Sequence, residues 1–449
     1  MHNRSLLLAA TLLGTAPFAS AQWLQRFPVT SPTARTGAAM AFVPQSAGLV
    51  LFGGGTPLIN SQTWVYDGTD WTQLTPATSP SARFGAQLVY DVARGVAVLY
   101  GGLASSISLP PPASDTWEWD GTTWTQRTNV GNAGARYRYG ASYDLGRGKV
   151  VIFGGATTQL IGPPSNQTWE YDGTAWLQIT TTGNPGGRDR PAMCYMPSLA
   201  KTVLFGGSNG STLTDQTWVY DGNTATWTQV AITGPKPSGR NAAAMVYDSA
   251  RDLCVLHGGQ DAANVLSDTW TFDGTRWTLS DSTTQTIRDH AMAFLPITKQ
   301  VVKFGGFVAA PNTTSNQTWE LGGAGFGVGC AGSNGVPSLA AANAAVIGQP
   351  LNFNVTGLEP TINVGFLVLG FTRLPGIDLG FLGMPSCLAY TSPDVLLPVA
   401  GAAGNATWTW PNVAGPLGGS FFAQILSLDP TANAFGFTTS NALYTTLTN

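Results

Sequence analysis

Arginine is the residue type in this chain whose spacing most suggests binding chemistry. Arg35, Arg83, Arg136, Arg188, Arg240 and Arg288 recur about once every 50 residues, each just ahead of an apolar run. A guanidinium keeps its charge and grips a carboxylate through paired hydrogen bonds. A ring of six would therefore suit an acidic ligand. Arg138 and Arg190 add two cations beside the third and fourth of them. A competing reading makes each arginine a fixture of a repeat, bonded to nearby carbonyls or to an Asp.

Other reactive residue types are sparse. His257 and His290 have no second His at metal-ligand spacing, and no Cys pair has zinc-like spacing. No metal or other cofactor is therefore expected. Glu118, Glu170 and Glu320 share one position after a Trp. A catalytic carboxylate pair needs a shared cleft, and nothing in their spacing supplies one. Asp67, Asp120, Asp172, Asp221 and Asp273 each precede Gly and read as turn residues. No catalytic set emerges.

The elements that must position these residues come from a cassette found six times. A double glycine is followed by Thr-Trp, then in five repeats by Asp-Gly and a second Trp. The double glycines are Gly53-Gly54, Gly101-Gly102, Gly154-Gly155, Gly206-Gly207, Gly258-Gly259 and Gly305-Gly306. Thr-Trp ends at Trp64, Trp117, Trp169, Trp218, Trp270 and Trp319. This period belongs to β-propeller blades. Each repeat parses into four short strands, with Asp-Gly turning the third into the fourth. Twelve of the 15 tryptophans occupy the two repeat positions, counting Trp23, and read as packing. Trp119 breaks that pattern and is expected to face a loop surface.

The sixth repeat lacks its fourth strand, because Gly322-Gly323 replaces Asp-Gly and no Trp follows. Trp23 precedes Arg35 by the same interval that separates Trp71 from Arg83 and Trp124 from Arg136. The segment beginning at Trp23 is thus expected to complete the sixth blade and close the ring, removing exposed strand edges.

The double glycine with downstream aromatics resembles the kelch repeat over about Trp23 to Gly323. The resemblance implies four-stranded blades around a channel, strand one innermost. It places the arginines around one mouth of the channel. The variable loops between double glycine and Thr-Trp, 103–114 and 156–165 among them, lie on the same face. Variable loops on a rigid scaffold commonly carry specificity.

The expected architecture is all-β: residues 22–323 form a six-bladed kelch-type propeller closed by an N-terminal strand. A Gly-rich linker follows at 324–335 and a small antiparallel β-sandwich at 336–449. Residues 1–21 read as a signal peptide, with Arg4, an apolar run Leu6 to Leu13 and Ala19-Ser20-Ala21 before the cut. Secretion or export to the periplasm follows from that, with no membrane-spanning segment. Cys330 and Cys387 are expected to form a disulfide, while Cys194 and Cys254, in apolar strands of neighbouring blades, read as buried free thiols. With 10% charged residues and a net charge of -3, the chain lacks the basic surface that nucleic acid requires. The C-terminal phrases Gly-Cys-Ala-Gly-Ser-Asn-Gly and Leu-Asp-Pro-Thr-Ala-Asn look like a module on secreted proteins of environmental bacteria.

Three functions compete. The first is a non-catalytic propeller that binds an acidic carbohydrate or peptide at the arginine mouth. The second is an enzyme, since bacterial N-acetylneuraminate epimerases are exported six-bladed kelch propellers. The third is a passive surface or matrix protein. The outline also resembles galactose oxidase, but no histidine lies beyond His290, so that family's copper site cannot be carried over.

Overall fold

A computed structural model describes residues 22–322 except 56–57, 105–110, 159–161, 282–284 and 310–311, together with the strands between Ser338 and Thr446. The expected leader at 1–21, the linker, Cys330 and Cys387 lie outside the described residues.

Gln22–Gly322 is one compact unit, and it is a ring of six four-stranded antiparallel blades. Blade two shows the pattern: Gln87–Asp91, Val96–Tyr100, Thr116–Trp119 and Trp124–Arg127, hydrogen-bonded in that order. The first strand of each blade lies against the first strands of both neighbours, the sixth against the first. Strand one is therefore innermost. The second strands are almost wholly apolar and buried, as in Leu49, Val50, Leu51 and Phe52 of blade one. A strand enclosed on both faces has no polar side to alternate with.

The closing strand is where the repeat arithmetic places it. Gln22–Arg26 pairs antiparallel with Thr318–Gly322, Trp23 opposite Leu321. Trp23 is buried, and its Nε1 donates to Thr269 Oγ1 of blade five at 2.8 Å. The same bond recurs at every seam. Trp71 donates to Thr318, Trp124 to Thr63, Trp176 to Thr116, Trp227 to Thr168 and Trp277 to Thr217, all at 2.8–2.9 Å. Each indole buries a large apolar surface between blades, and its one polar atom finds a fixed partner.

Carboxylates reinforce three seams. Tyr66 Oη donates to Glu320, Tyr171 to Glu118 and Tyr220 to Glu170, each Glu belonging to the preceding blade. Arg26, Arg94 and Arg147 ion-pair with the same three carboxylates. These glutamates are thus structural. Trp119 corrects the sequence reading: it is fully buried, its ring tilted against Trp124 with centres 5.3 Å apart, and it donates to Ser46 of blade one. It occupies the strand position that Tyr66, Tyr171 and Tyr220 hold elsewhere.

The double glycines follow from ring geometry. The first of each sits at positive φ, 70° at Gly53. A Cβ there would come within 2.7 Å of the Arg83 carbonyl oxygen of the next blade. All six repeats have this close approach. Only glycine combines that φ with that contact.

An unusual basic group lies at the closing seam. Lys303, buried, occupies the strand position of Leu51, Leu99 and Leu256. Its Nζ sits 4.4 Å from the Trp23 ring centre and 2.6 Å from His257 Nε2. An ammonium donating to Nε2 leaves the His257 proton on Nδ1, 2.9 Å from Thr269 Oγ1. His290 packs against His257 with ring centres 5.4 Å apart.

The strands beyond the propeller are antiparallel. Ser338–Ala341, Leu351–Thr356 and Asn405–Trp410 make a three-stranded sheet. Val395–Ala400, Val364–Gly370, Ser420–Leu428 and Phe437–Thr446 make a four-stranded one, in that order. No helix among the described residues is long and apolar enough to cross a membrane.

Two outcomes are expected at the closing seam. Trp23→Ala should lower unfolding free energy by about 3–5 kcal/mol, and Trp23→Phe, which keeps most of the packing, by about 1 kcal/mol for the lost hydrogen bond; thermal melts of the two variants check the ranking. The seam should also be acid-sensitive. Burial, then the Lys303 charge, lower both histidines, His290 to about 3. In the unfolded chain they titrate near about 6.5. Their contribution to stability is complete above that value and is lost as pH falls toward the folded value. The melting temperature should therefore drop between pH 6.5 and about 4, less steeply in His290→Gln; equal slopes would contradict the assignment.

Candidate functional site

The arginine ring resolves into two sets. Arg35, Arg83, Arg136 and Arg240 are each only 1% exposed, and Arg188 is 6% exposed. Arg35, Arg83, Arg136 and Arg240 donate Nη1 to the carbonyl of the first double-glycine residue in their own blade, at 2.9–3.1 Å. Each also bonds a Gln or Asp that accepts from the blade's third-strand Trp. Arg83 holds both oxygens of Asp115, at 2.7 and 3.0 Å, and Trp117 donates to the same carboxylate. Arg240 and Trp270 share Asp268 in the same way. Arg35, Arg136 and Arg188 reach Gln62, Gln167 and Gln216. Burial would raise the carboxyl of Asp115 and of Asp268, but the guanidinium bonds hold both below the ordinary carboxylate value.

Arg35, Arg83, Arg136 and Arg240 therefore pin the double-glycine turn to the blade, and their donors are turned to the protein itself rather than to a ligand. Arg188 bonds Gly187 O and Gln216 instead and keeps a buried Nε without a partner. Arg288 is not part of this set, because the repeat's sixth equivalent is Ile287. Its carbonyl accepts from Gly259 as those of Arg83, Arg136, Arg188, Arg240 and Arg35 accept from Gly54, Gly102, Gly155, Gly207 and Gly306. Aligning the Ala-Met that opens four inner strands (Ala39, Ala192, Ala244, Ala291) shows this offset in the sequence alone.

One residue further along, the six blades differ. That position holds Thr36, Phe84, Tyr137, Asp189, Asn241 and Arg288, and each bridges to the residue after the double glycine. The mouth and the start of each loop after the double glycine therefore share one face. The next position, Gly37, Gly85, Arg138, Arg190, Ala242 and Asp289, closes a ring of its own. Each N–H donates to the carbonyl of the preceding blade's equivalent: Gly85 to Gly37, Arg138 to Gly85, Arg190 to Arg138, Ala242 to Arg190, Asp289 to Ala242, and Gly37 to Asp289, at 2.8–3.3 Å. All six residues have φ between 52° and 67°. Left-handed backbone costs a non-Gly residue about 1–2 kcal/mol. Four non-Gly residues carry that cost here, held in place by the circular hydrogen bonding. Such strain concentrates where function is built.

Inside this ring lies a cavity whose wall includes Phe84, Arg138, Arg190, Asp289 and His290. Its charges are unevenly paired: Arg288 Nη1 donates to Asp289 Oδ2 at 2.6 Å, but the other pairs are long. Arg138 faces Asp189 at 3.7 Å and Arg190 faces Asp289 at 3.6 Å, both beyond hydrogen-bond length. Arg138 Nε, Arg190 Nε, Asp189 Oδ1 and both His290 nitrogens are buried with no hydrogen-bond partner among the described residues. Burial, then the charge of Arg190, lowers Arg138, while burial raises Asp189. Arg138 also lies over the Tyr137 ring, 4.5 Å from its centre, and Arg288 over Phe307 at 4.4 Å. Among the described residues no group of three His, Cys, Asp or Glu could hold a metal ion. The turn aspartates do the work expected of them: Asp67, Asp120, Asp172 and Asp273 each accept from two backbone N–H groups of their own turn.

A closed six-bladed ring with inner strands first, double-glycine turns and an arginine-pinned mouth defines a kelch-type β-propeller. The family model for the KLHDC2/KLHL20/DRC7 Kelch-repeats domain matches residues 65–247 and again 198–323, and the chain belongs to this kelch-repeat family. No curated protein matches the chain. A kelch propeller is a scaffold suited to protein binding.

The two arginine sets should separate experimentally. Arg240→Ala empties a buried site and leaves the half-buried Asp268 carboxylate without its partner, and should cost about 3 kcal/mol. Arg138→Ala and Arg190→Ala break only long ion pairs of part-buried side chains and should cost about 1 kcal/mol. Chemical denaturation of the three variants measures the contrast.

Proposed function

We propose that this protein is a secreted, non-catalytic binding propeller whose mouth takes an acidic group of a peptide or carbohydrate. The observation that carries the reading is the pair Arg138 and Arg190. Their backbones are joined at 2.8 Å in the ring, both guanidiniums are largely buried, and both Nε atoms lack a hydrogen bond. A carboxylate placed between them would supply the missing acceptors and offset their mutual repulsion. Phe84 beside Arg138 provides flat apolar surface for the rest of the ligand, while the buried Tyr137 ring backs the guanidinium. Export rests on the leader read at residues 1–21. Asp189, loosely paired, and Asp289, held by Arg288, make the mouth mixed in sign, which selects against polyanions and favours a ligand with one localised negative charge.

A thermal-shift screen of the propeller-containing chain against uronic acids, sialic acid and acidic peptides tests this. A binder of the folded state raises the melting temperature in proportion to RT ln(1 + [L]/Kd). The expected result is a shift that weakens with salt and vanishes in Arg138→Ala/Arg190→Ala. A shift retained in that double variant, or none across the panel, would overturn the reading.

A further inference from the structure

One position recurs at the seams. The third residue of a blade's inner strand meets the second residue of the next blade's second strand. Ala41 and Ala97 share one core cluster in this way, as do Val89 with Val150 and Ala293 with Leu49. Between blades three and four the partners are Ser142 and Thr202, whose hydroxyls hydrogen-bond at 3.2 Å. Between blades four and five they are Cys194 and Cys254, at the same sequence separation of 60 residues. The contact is thus set by the blade geometry rather than by the cysteines. Both sulfurs are buried, enclosed by residues that include Met196, Val203 and Leu256.

The sulfurs lie 2.7 Å apart. Even carbon atoms, which are smaller, pack best at about 3.5–4.0 Å. Two thiols therefore crowd each other here, and a covalent bond is the arrangement that relieves the crowding. We propose that Cys194 and Cys254 form a disulfide that staples blade four to blade five. This replaces the free-thiol reading of the sequence with a modification site.

The oxidant is a disulfide donor, either a low-molecular-weight disulfide or a protein oxidoreductase. One cysteine thiolate attacks a donor sulfur and releases one donor thiol. The second thiolate attacks the resulting mixed disulfide and releases the other. Two protons leave the cysteines, and two electrons reduce the donor to two thiols. The chemistry must occur while blades four and five are docking. Once the seam is shut, no donor reaches the sulfurs, and burial raises the Cys194 thiol well above its ordinary value, which suppresses the thiolate.

Peptide mapping decides the matter. The full chain is refolded with oxidised and reduced glutathione, or with reductant alone, then unfolded in iodoacetamide and digested. The expected product in the glutathione sample is the Cys194 peptide joined to the Cys254 peptide, lighter by two hydrogens than the free pair and absent under reductant. Cys254→Ala should leave Cys194 alkylated. The linked form should melt about 5 °C above the reduced form, from the restriction of a long loop. Recovery of both cysteines alkylated after donor refolding, or joined only to Cys330 or Cys387, would overturn the proposal. Where refolding fails, the chain recovered from an oxidising compartment is mapped instead: the linked peptide supports the disulfide, and two alkylated cysteines overturn it.

Discussion

The indole–threonine bond between neighbouring blades is the constraint on which the propeller depends. A blade alone has apolar side chains on both faces and nowhere to bury them. The fourth-strand Trp of one blade covers one of those faces on the blade before it, and its Nε1–H must find an acceptor in the dry seam. The third-strand Thr supplies it in all six seams. Fixed donor and acceptor positions set the angle between blades as well as their distance, so six identical bonds impose six nearly equal rotations. Tyr-to-Glu contacts and the matched residue pairs between inner and second strands add to three or more seams without changing that geometry.

Most of this architecture was legible in the sequence because it repeats. Trp, Gly-Gly and Asp-Gly recur at fixed intervals, and one correct blade gives all six. The closing strand was legible for the same reason, since Trp23 keeps the interval to Arg35. Burial and partner choice were not. A guanidinium that recurs in every blade looks the same in sequence whether it faces a ligand or holds Gly101 and Asp115 in place. The structure separates those cases through hydrogen bonds that link residues 18 and 32 positions apart. Trp119 misled for a related reason. It departs from the residue of its repeat position but keeps that position's aromatic role, and the sequence shows only the departure.

The mouth shows how a repeat escapes its own symmetry. Backbone hydrogen bonds run around the ring through six residues of one conformation, so the scaffold tolerates any side chain that accepts left-handed backbone. The blades use that tolerance unequally. Blades three, four and six place Arg138, Arg190 and Asp289 there, while blades one and two place glycine, and at Gly37 a Cβ would lie 2.2 Å from the Phe84 ring. A symmetric frame thus carries an asymmetric set of charges, with cations, carboxylates and aromatics at different points around one opening. The C-terminal sheets have no part in that ring and form a unit of their own.

The closing strand also orders events in time. Trp23 leaves the ribosome long before Thr269, its partner 246 residues on, so the first strand to be made is the last to be used. Blades one to five can assemble against one another as they emerge, through contacts of about 50 residues' separation. The sixth stays open until Thr318–Gly322 is available, and only then does the waiting segment convert a crescent with two sticky ends into a ring with none. Because closure joins the extremes of the domain, it carries the largest loop entropy of any contact in the fold and is expected to be the slow, committing step of its assembly.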